Sequence, residues 1–163
     1  MKRLIKTLSF ALFATVSTAL ISCNHANEAT PKQPSGTATQ TNQAEYQRLM
    51  NARQQYTGVT FDITSVQRQG DVLTIQVKGG CSADNYKVVW NGYLMQSYPM
   101  QTNLVVAYEG NSNCSTPGAY TLTVDLKALL GSVASPSETQ VQVSNGSKVK
   151  DVVVDPSGVV SNK

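Results

Sequence analysis

Val59-Thr60-Phe61-Asp62-Ile63-Thr64 and Leu73-Thr74-Ile75-Gln76-Val77-Lys78 alternate apolar and polar residues on either side of the turn Gln69-Gly70-Asp71. Successive side chains of a β-strand point to opposite faces, so this alternation predicts two strands, each with one dry and one wet face. The glycine-containing turn joins them as a hairpin. Outward from this pair the period of two continues. Gly79-Gly80 breaks the run, and Tyr86, Val88 and Trp90 resume it. Asn91-Gly92 reads as a two-residue hairpin turn, because both of its central positions need positive φ. Leu104, Val106 and Tyr108 follow, then a loop ending in Pro117-Gly118, then Tyr120, Leu122, Val124 and Leu126. Leu129-Leu130-Gly131 closes that strand with one helical turn. Val141 and Val143, the turn Ser144-Asn145-Gly146, and Val149 to Val154 predict a last hairpin. Seven or eight short strands with no intervening helical pattern predict an all-β fold. The expected form is an antiparallel β-sandwich, immunoglobulin-like in the loose sense, and a small barrel is the alternative.

On the amino-terminal side the pattern changes. Asn42 to Gln54 predicts a short helix that opens the domain, with Asn42 as its cap and Glu45 three residues on. The alternative is that part of 44–57 pairs as an edge strand. The folded domain is thus expected over 44–163, about 120 residues, enough for one hydrophobic core. Asn24 to Gln43 contains Thr30-Pro31-Lys32-Gln33-Pro34-Ser35-Gly36 and almost no large apolar side chain. Such a segment buries too little surface to offset its ordering entropy, so 23–43 is expected to be a flexible tether.

Residues 1–22 read as an export signal. A basic start with Lys2, Arg3 and Lys6 precedes an apolar stretch from Leu8 to Ile21, shorter than the roughly 20 residues that span a bilayer. Leu20-Ile21-Ser22-Cys23 resembles the lipobox of bacterial lipoproteins. The resemblance implies cleavage before Cys23, a diacylglycerol thioether on its sulfur and an acyl chain, palmitate-like, on its amine. Several acyl chains, each worth about 0.8 kcal/mol per buried CH₂, hold a protein firmly to a membrane. Asn24 in place of Asp after the cysteine implies, by the same resemblance, the outer membrane of the cell envelope, with the leaflet left open. The net charge of +3 comes from the signal, so the mature chain has as many basic as acidic residues. Such a balance speaks against nucleic acid, which demands a concentrated basic face.

In an exported protein the two remaining cysteines, Cys81 and Cys114, are expected to form a structural disulfide worth about 3–4 kcal/mol. Gly79-Gly80-Cys81, Trp90, Ser97-Tyr98-Pro99, Gln101, Leu104 and Cys114 together are similar to a loose pattern in small secreted lipoproteins of Bacteroidota-like bacteria. That similarity covers about residues 73–126 and implies export and paired cysteines, with no catalytic residue.

Catalytic means are scarce. His25 is the sole histidine and falls in the expected tether, where it cannot be held at hydrogen-bond distance from a reacting group. Pairing of the cysteines leaves no zinc ligand set, and no glycine-rich loop stands between a strand and a helix to hold phosphate. Asp84-Asn85 and Asn111-Ser112-Asn113 offer oxygen ligands of a kind that abounds in ordinary loops. No metal or other cofactor is therefore expected. The scattered carboxylates, with Asp62 and Asp84 the first to test, leave a two-carboxylate hydrolase as a rival reading. Recognition chemistry gathers instead in Trp90, Tyr93, Met95, Tyr98, Pro99 and Met100. Tyr and Trp are common anchors of binding surfaces, although the plainer reading sends Trp90 to the core and Tyr93 and Tyr98 to its rim. The expected function is a non-enzymatic, membrane-anchored β domain that binds a protein or glycan or serves structurally. A small enzyme inhibitor, using 92–100 or 110–118, is a further alternative.

Overall fold

The computed structural model describes residues 35–37, 39–111 and 116–163. Two sheets face each other. The first has the order β1 (Ser35–Gly36), β7 (Ala119–Asp125), β4 (Val72–Gly79), β3 (Phe61–Gln69). The second has the order β10 (Val160–Asn162), β9 (Asp151–Val154), β8 (Thr139–Asn145), β6 (Met100–Tyr108), β5 (Tyr86–Met95), β2 (Thr39–Thr41). The expected all-β sandwich and its opening helix are both present. Most pairs run antiparallel, but β1–β7, β2–β5 and β6–β8 run parallel.

The alternation in the sequence is the alternation of burial. Phe61, Ile63 and Val66 on β3, Leu73, Ile75 and Val77 on β4, and Leu122 and Val124 on β7 form one wall of the core. Tyr86, Val88, Trp90, Leu104, Val106, Val141, Val143, Val152 and Val154 form the other. In β3 the step from Ile63 to Val66 breaks the period, and an extra residue in the ladder at Thr64 restores the inward direction. Val88-Val89-Trp90 and Leu104-Val105-Val106-Ala107 read as continuous apolar runs because both faces are covered there. Helix α1 (Gln43–Ala52) lies on the outer face, and its Leu49 packs against Val89, Val105 and Ala107. Asn42 caps α1 by accepting a hydrogen bond from the Glu45 backbone N–H at 3.0 Å. The short helix α2 (Leu126–Leu130) follows β7, as Leu129-Leu130-Gly131 foretold.

Two expectations are corrected. The folded domain begins by Ser35, not at residue 44: the carboxyl-terminal part of the expected tether crosses between the sheets, pairing first with β7 and then with β5. Its polarity did not prevent this, because edge pairing draws on backbone hydrogen bonds and the threonines at 37, 39 and 41 suit extended backbone. Asn91-Gly92 does not turn the chain. Gly92 does have a φ of +77°, but in a bulge within β5, and the chain reverses later, at 96–99. Positive φ is needed equally by a bulge and by a hairpin turn, so the dipeptide alone does not choose between them.

An aromatic cluster closes one end of the core. Tyr86 meets Phe61 edge to face at 5.2 Å and Tyr108 at 4.9 Å between ring centroids. A Cβ on Gly80 would lie 2.4 Å from the Tyr108 ring, which is why a glycine stands beside Cys81. The Tyr108 hydroxyl accepts the Cys81 backbone N–H at 2.8 Å, fixing the start of the loop that carries that cysteine.

Candidate functional site

Strand pairing assembles a site from three distant segments. The parallel register of β6 on β8 sets Met100 beside Thr139, so the β5–β6 reversal lies next to the chain entering β8. The antiparallel register of β8 on β9 sets Val141 beside Val154, bringing the residues after β9 to the same end. An open groove of about 420 Å³ results, lined among others by Tyr98, Pro99, Glu138, Gln140, Asp155 and Pro156.

The reversal is held by its own hydrogen bonds. Ser97 N–H donates to the Met95 carbonyl at 3.0 Å, Ser97 Oγ donates to the Pro99 carbonyl at 2.7 Å, and Gln101 Nε2 donates to Ser97 Oγ at 3.1 Å. The Tyr98–Pro99 bond is cis. Tyr98 is 99% exposed, while Tyr93 at 55% and Met95 at 46% flank it. Tyr93 is tied down through its hydroxyl, which donates to Gln43 Oε1 on α1 at 2.9 Å. Trp90 belongs to the core rather than to this surface. It is 8% exposed, and its Nε1 donates to Thr102 Oγ1 at 2.6 Å, which in turn donates to the Tyr93 carbonyl at 3.0 Å. Pro99 and Met100 are half-buried. The six residues of the sequence-predicted patch thus divide into a core anchor, Trp90, and an exposed tip centred on Tyr98.

The facing loops are fixed by Arg68 on β3. Its guanidinium donates to the carbonyls of Thr139 at 2.6 Å, Gly70 at 3.1 Å, Asp155 at 3.4 Å, and Pro136. Burial pulls its pKa below the ordinary value, partly offset by the charges of Asp71 and Asp155. Asp155 accepts hydrogen bonds from Ser157 Oγ at 2.7 Å and Val159 N–H at 2.9 Å, which hold its pKa below the usual carboxylate range. Glu138, Gln140, Asp155, Pro156 and Arg68 carried no sequence signal for a shared site. The parallel β6–β8 pair that gathers them leaves no local pattern, and only the prolines at 136 and 156 punctuate the two loops.

The other predicted residues stand apart. Asp62 pairs with Lys148 at 2.6 Å on the surface. Asp84 is exposed in a short 3-10 turn whose N–H is accepted by Ser82 Oγ. Cys81 is half-buried, and its expected partner Cys114 lies outside the described residues, as do Cys23, His25 and the signal segment. Among the described residues no group of three His, Cys, Asp or Glu side chains is placed to hold a metal ion. No helix of the described residues is long and apolar enough to cross a membrane. A second charged cluster joins α1 to the sheet: Glu45 accepts from Arg48 at 2.7 Å and Lys87 at 2.8 Å, and Lys87 also pairs with Glu109. The hydrogen bonds from Arg48 and Lys87, helped by their charges, hold the Glu45 pKa down at about 2.

No protein-family model matches the chain, and no curated protein matches it. Two solved structures are similar to it. One is a NigD-like immunity protein from Bacteroides caccae, 11% identical, with a TM-score of 0.43 over 78% of this chain and 58% of that one. The other is a protein of unknown function from Bacteroides vulgatus, 14% identical, with a TM-score of 0.38 over 80% of this chain and 55% of that one. The chain therefore spans less than two thirds of the length of either.

Proposed function

We propose that this protein is a lipid-anchored lipoprotein of the bacterial cell envelope whose β domain binds a protein partner through the Tyr98 tip and makes no catalytic turnover. The observation that carries the reading is the fully exposed Tyr98 ring on a reversal stiffened by three hydrogen bonds. An exposed aromatic on a mobile loop forfeits ordering entropy when it binds. A ring on a pre-bonded hairpin loses less and retains more of its burial energy as affinity. Tyrosine also carries an apolar body and a polar tip, which suits a surface that is wet before contact and dry after it. An inhibitor of an enzyme is the special case in which the cavity entered by Tyr98 is an active site, and the stiff projecting reversal favours that case over a flat contact.

The hydrolase reading finds less support. Glycosidic chemistry asks for one carboxyl group with a raised pKa to donate a proton. The carboxylates with resolved shifts, Glu45 and Asp155, both move down. Anchoring rests on Leu20-Ile21-Ser22-Cys23 and places the domain at a membrane surface.

The test is reversible crosslinking in the protein's own cells, followed by purification of the wild-type chain and of Tyr98→Ala. A discrete partner recovered with the wild type and lost with a folded Tyr98→Ala variant supports the reading. Recovery of the same species with both variants contradicts it, as does a reproducible hydrolytic activity that a single folded carboxylate variant removes.

A further inference from the structure

We infer that the groove beside Tyr98 receives a cationic side chain, arginine or lysine, from the protein partner. The inference rests on the proposed binding function and names the chemistry the partner presents. Glu138 and Asp155 come from different segments, and both line the same groove as the fully exposed Tyr98 ring. Neither forms an ion pair among the described residues. Arg68, whose charge is felt by Asp155, spends its donors on backbone carbonyls and makes no bond to either carboxylate. An arriving cation thus meets two carboxylates that have no ion-pair partner among the described residues, Asp155 accepting hydrogen bonds through one oxygen only, together with the exposed Tyr98 ring. Attraction of a cation to the face of a tyrosine is worth about 0.5–1 kcal/mol at an exposed site. Charge-assisted hydrogen bonds to a carboxylate add to it and fix the direction of approach. Pro99 and Pro156, stiff and apolar, form walls against which the aliphatic stem of lysine or arginine packs.

The alternatives are weaker on the same observations. An anionic ligand is repelled by the two carboxylates. An apolar side chain would desolvate them without compensation. A neutral sugar would stack on Tyr98 but leave the Glu138 and Asp155 charges unanswered.

The experiment uses the full chain in a nonionic, sugar-free detergent. Fluorescence anisotropy follows a short labelled Gly-Arg-Gly-Arg-Gly peptide, its glutamate counterpart as a second label, and maltoheptaose as an unlabelled competitor. The arginine peptide should bind in preference to the glutamate peptide and weaken as salt is raised. Tyr98→Ala and Glu138→Gln should each loosen it about two- to fivefold, the range set by an exposed cation–π contact or ion pair. Equal binding of the glutamate peptide, displacement by maltoheptaose, or indifference to both substitutions would overturn the inference. Loss of the cellular partner in Tyr98→Ala, together with no arginine-peptide binding, refutes the cationic ligand and leaves the binding function standing. Retention of the partner in Tyr98→Ala refutes the binding function itself.

Discussion

Replacing Arg68 with methionine keeps the aliphatic stem on β3 and deletes the guanidinium that ties two loops together. In the native protein that group donates to the Pro136 and Thr139 carbonyls at the entry to β8, the Asp155 carbonyl after β9, and Gly70 on its own hairpin. A hydrogen bond from a charged donor contributes about 1.5–3 kcal/mol net, and an orphaned buried acceptor costs about 1–3 kcal/mol. The Asp155 contact is long at 3.4 Å, and the site is half-buried, so water replaces part of what is lost. Counting the Thr139 and Pro136 bonds as the principal losses and discounting for solvent gives roughly 2–4 kcal/mol. For a domain of this size that lowers Tm by on the order of 10 °C. Urea unfolding followed by circular dichroism measures the first quantity and a thermal melt the second. Hydrogen exchange should quicken at 136–140 and 155–159 more than in β4 or β7. A variant within about 0.5 kcal/mol of wild type, the range of an ordinary surface change, would refute the claim that Arg68 organises this end of the sandwich.

Further outcomes are expected. Trp90→Phe removes the Nε1 bond to Thr102 and leaves space in the core, costing about 2–3 kcal/mol in urea unfolding; a neutral result would return Trp90 to the binding surface. Glu45 has its pKa lowered from 4.5 to about 2, so the stability it contributes is fully present above pH 4.5 and is lost as pH falls through about 2. Glu45→Gln should therefore destabilise the protein at near-neutral pH and converge with wild type at pH about 2, and a constant gap across that range would contradict the pairing with Arg48 and Lys87. Cys23→Ser should abolish acyl labelling and release the protein from the membrane fraction, whereas persistent labelling would refute the lipobox. Alkylation of the native mature protein should find no free thiol at Cys81 or Cys114 until it is reduced.

The legible part of this chain was the part governed by local periodicity. Phe61 to Val77 announced a hairpin because a strand packed on one face must alternate, and Asn42 with Glu45 announced a helix start because orphan N–H groups need an acceptor. Trp90 was legible as core because it continues the Tyr86 and Val88 alternation. What escaped was set by pairing between remote segments. Nothing local marks the Met100–Thr139 and Val141–Val154 registers, yet together they carry Glu138 and Asp155 to Tyr98. The crossing strands at 35–41 also escaped, since two or three polar residues on an edge bury too little to leave a hydrophobic pattern. Asn91-Gly92 misled for a related reason: it reports a backbone dihedral, and pairing with β6 resumes beyond it at Leu94–Thr102 and Met95–Gln101, which keeps β5 in the sheet past the bulge.

In the proposed function, the Tyr98 tip is the surface by which this protein meets its partner. A photo-crosslinking amino acid introduced at position 98 of the full chain, in its own cells, tests this most directly. The control carries the same residue at position 76, exposed on the outer face of the opposite sheet. A discrete light-dependent adduct is expected from position 98 and none from position 76. Adducts from both positions alike, or from 76 alone, would contradict it.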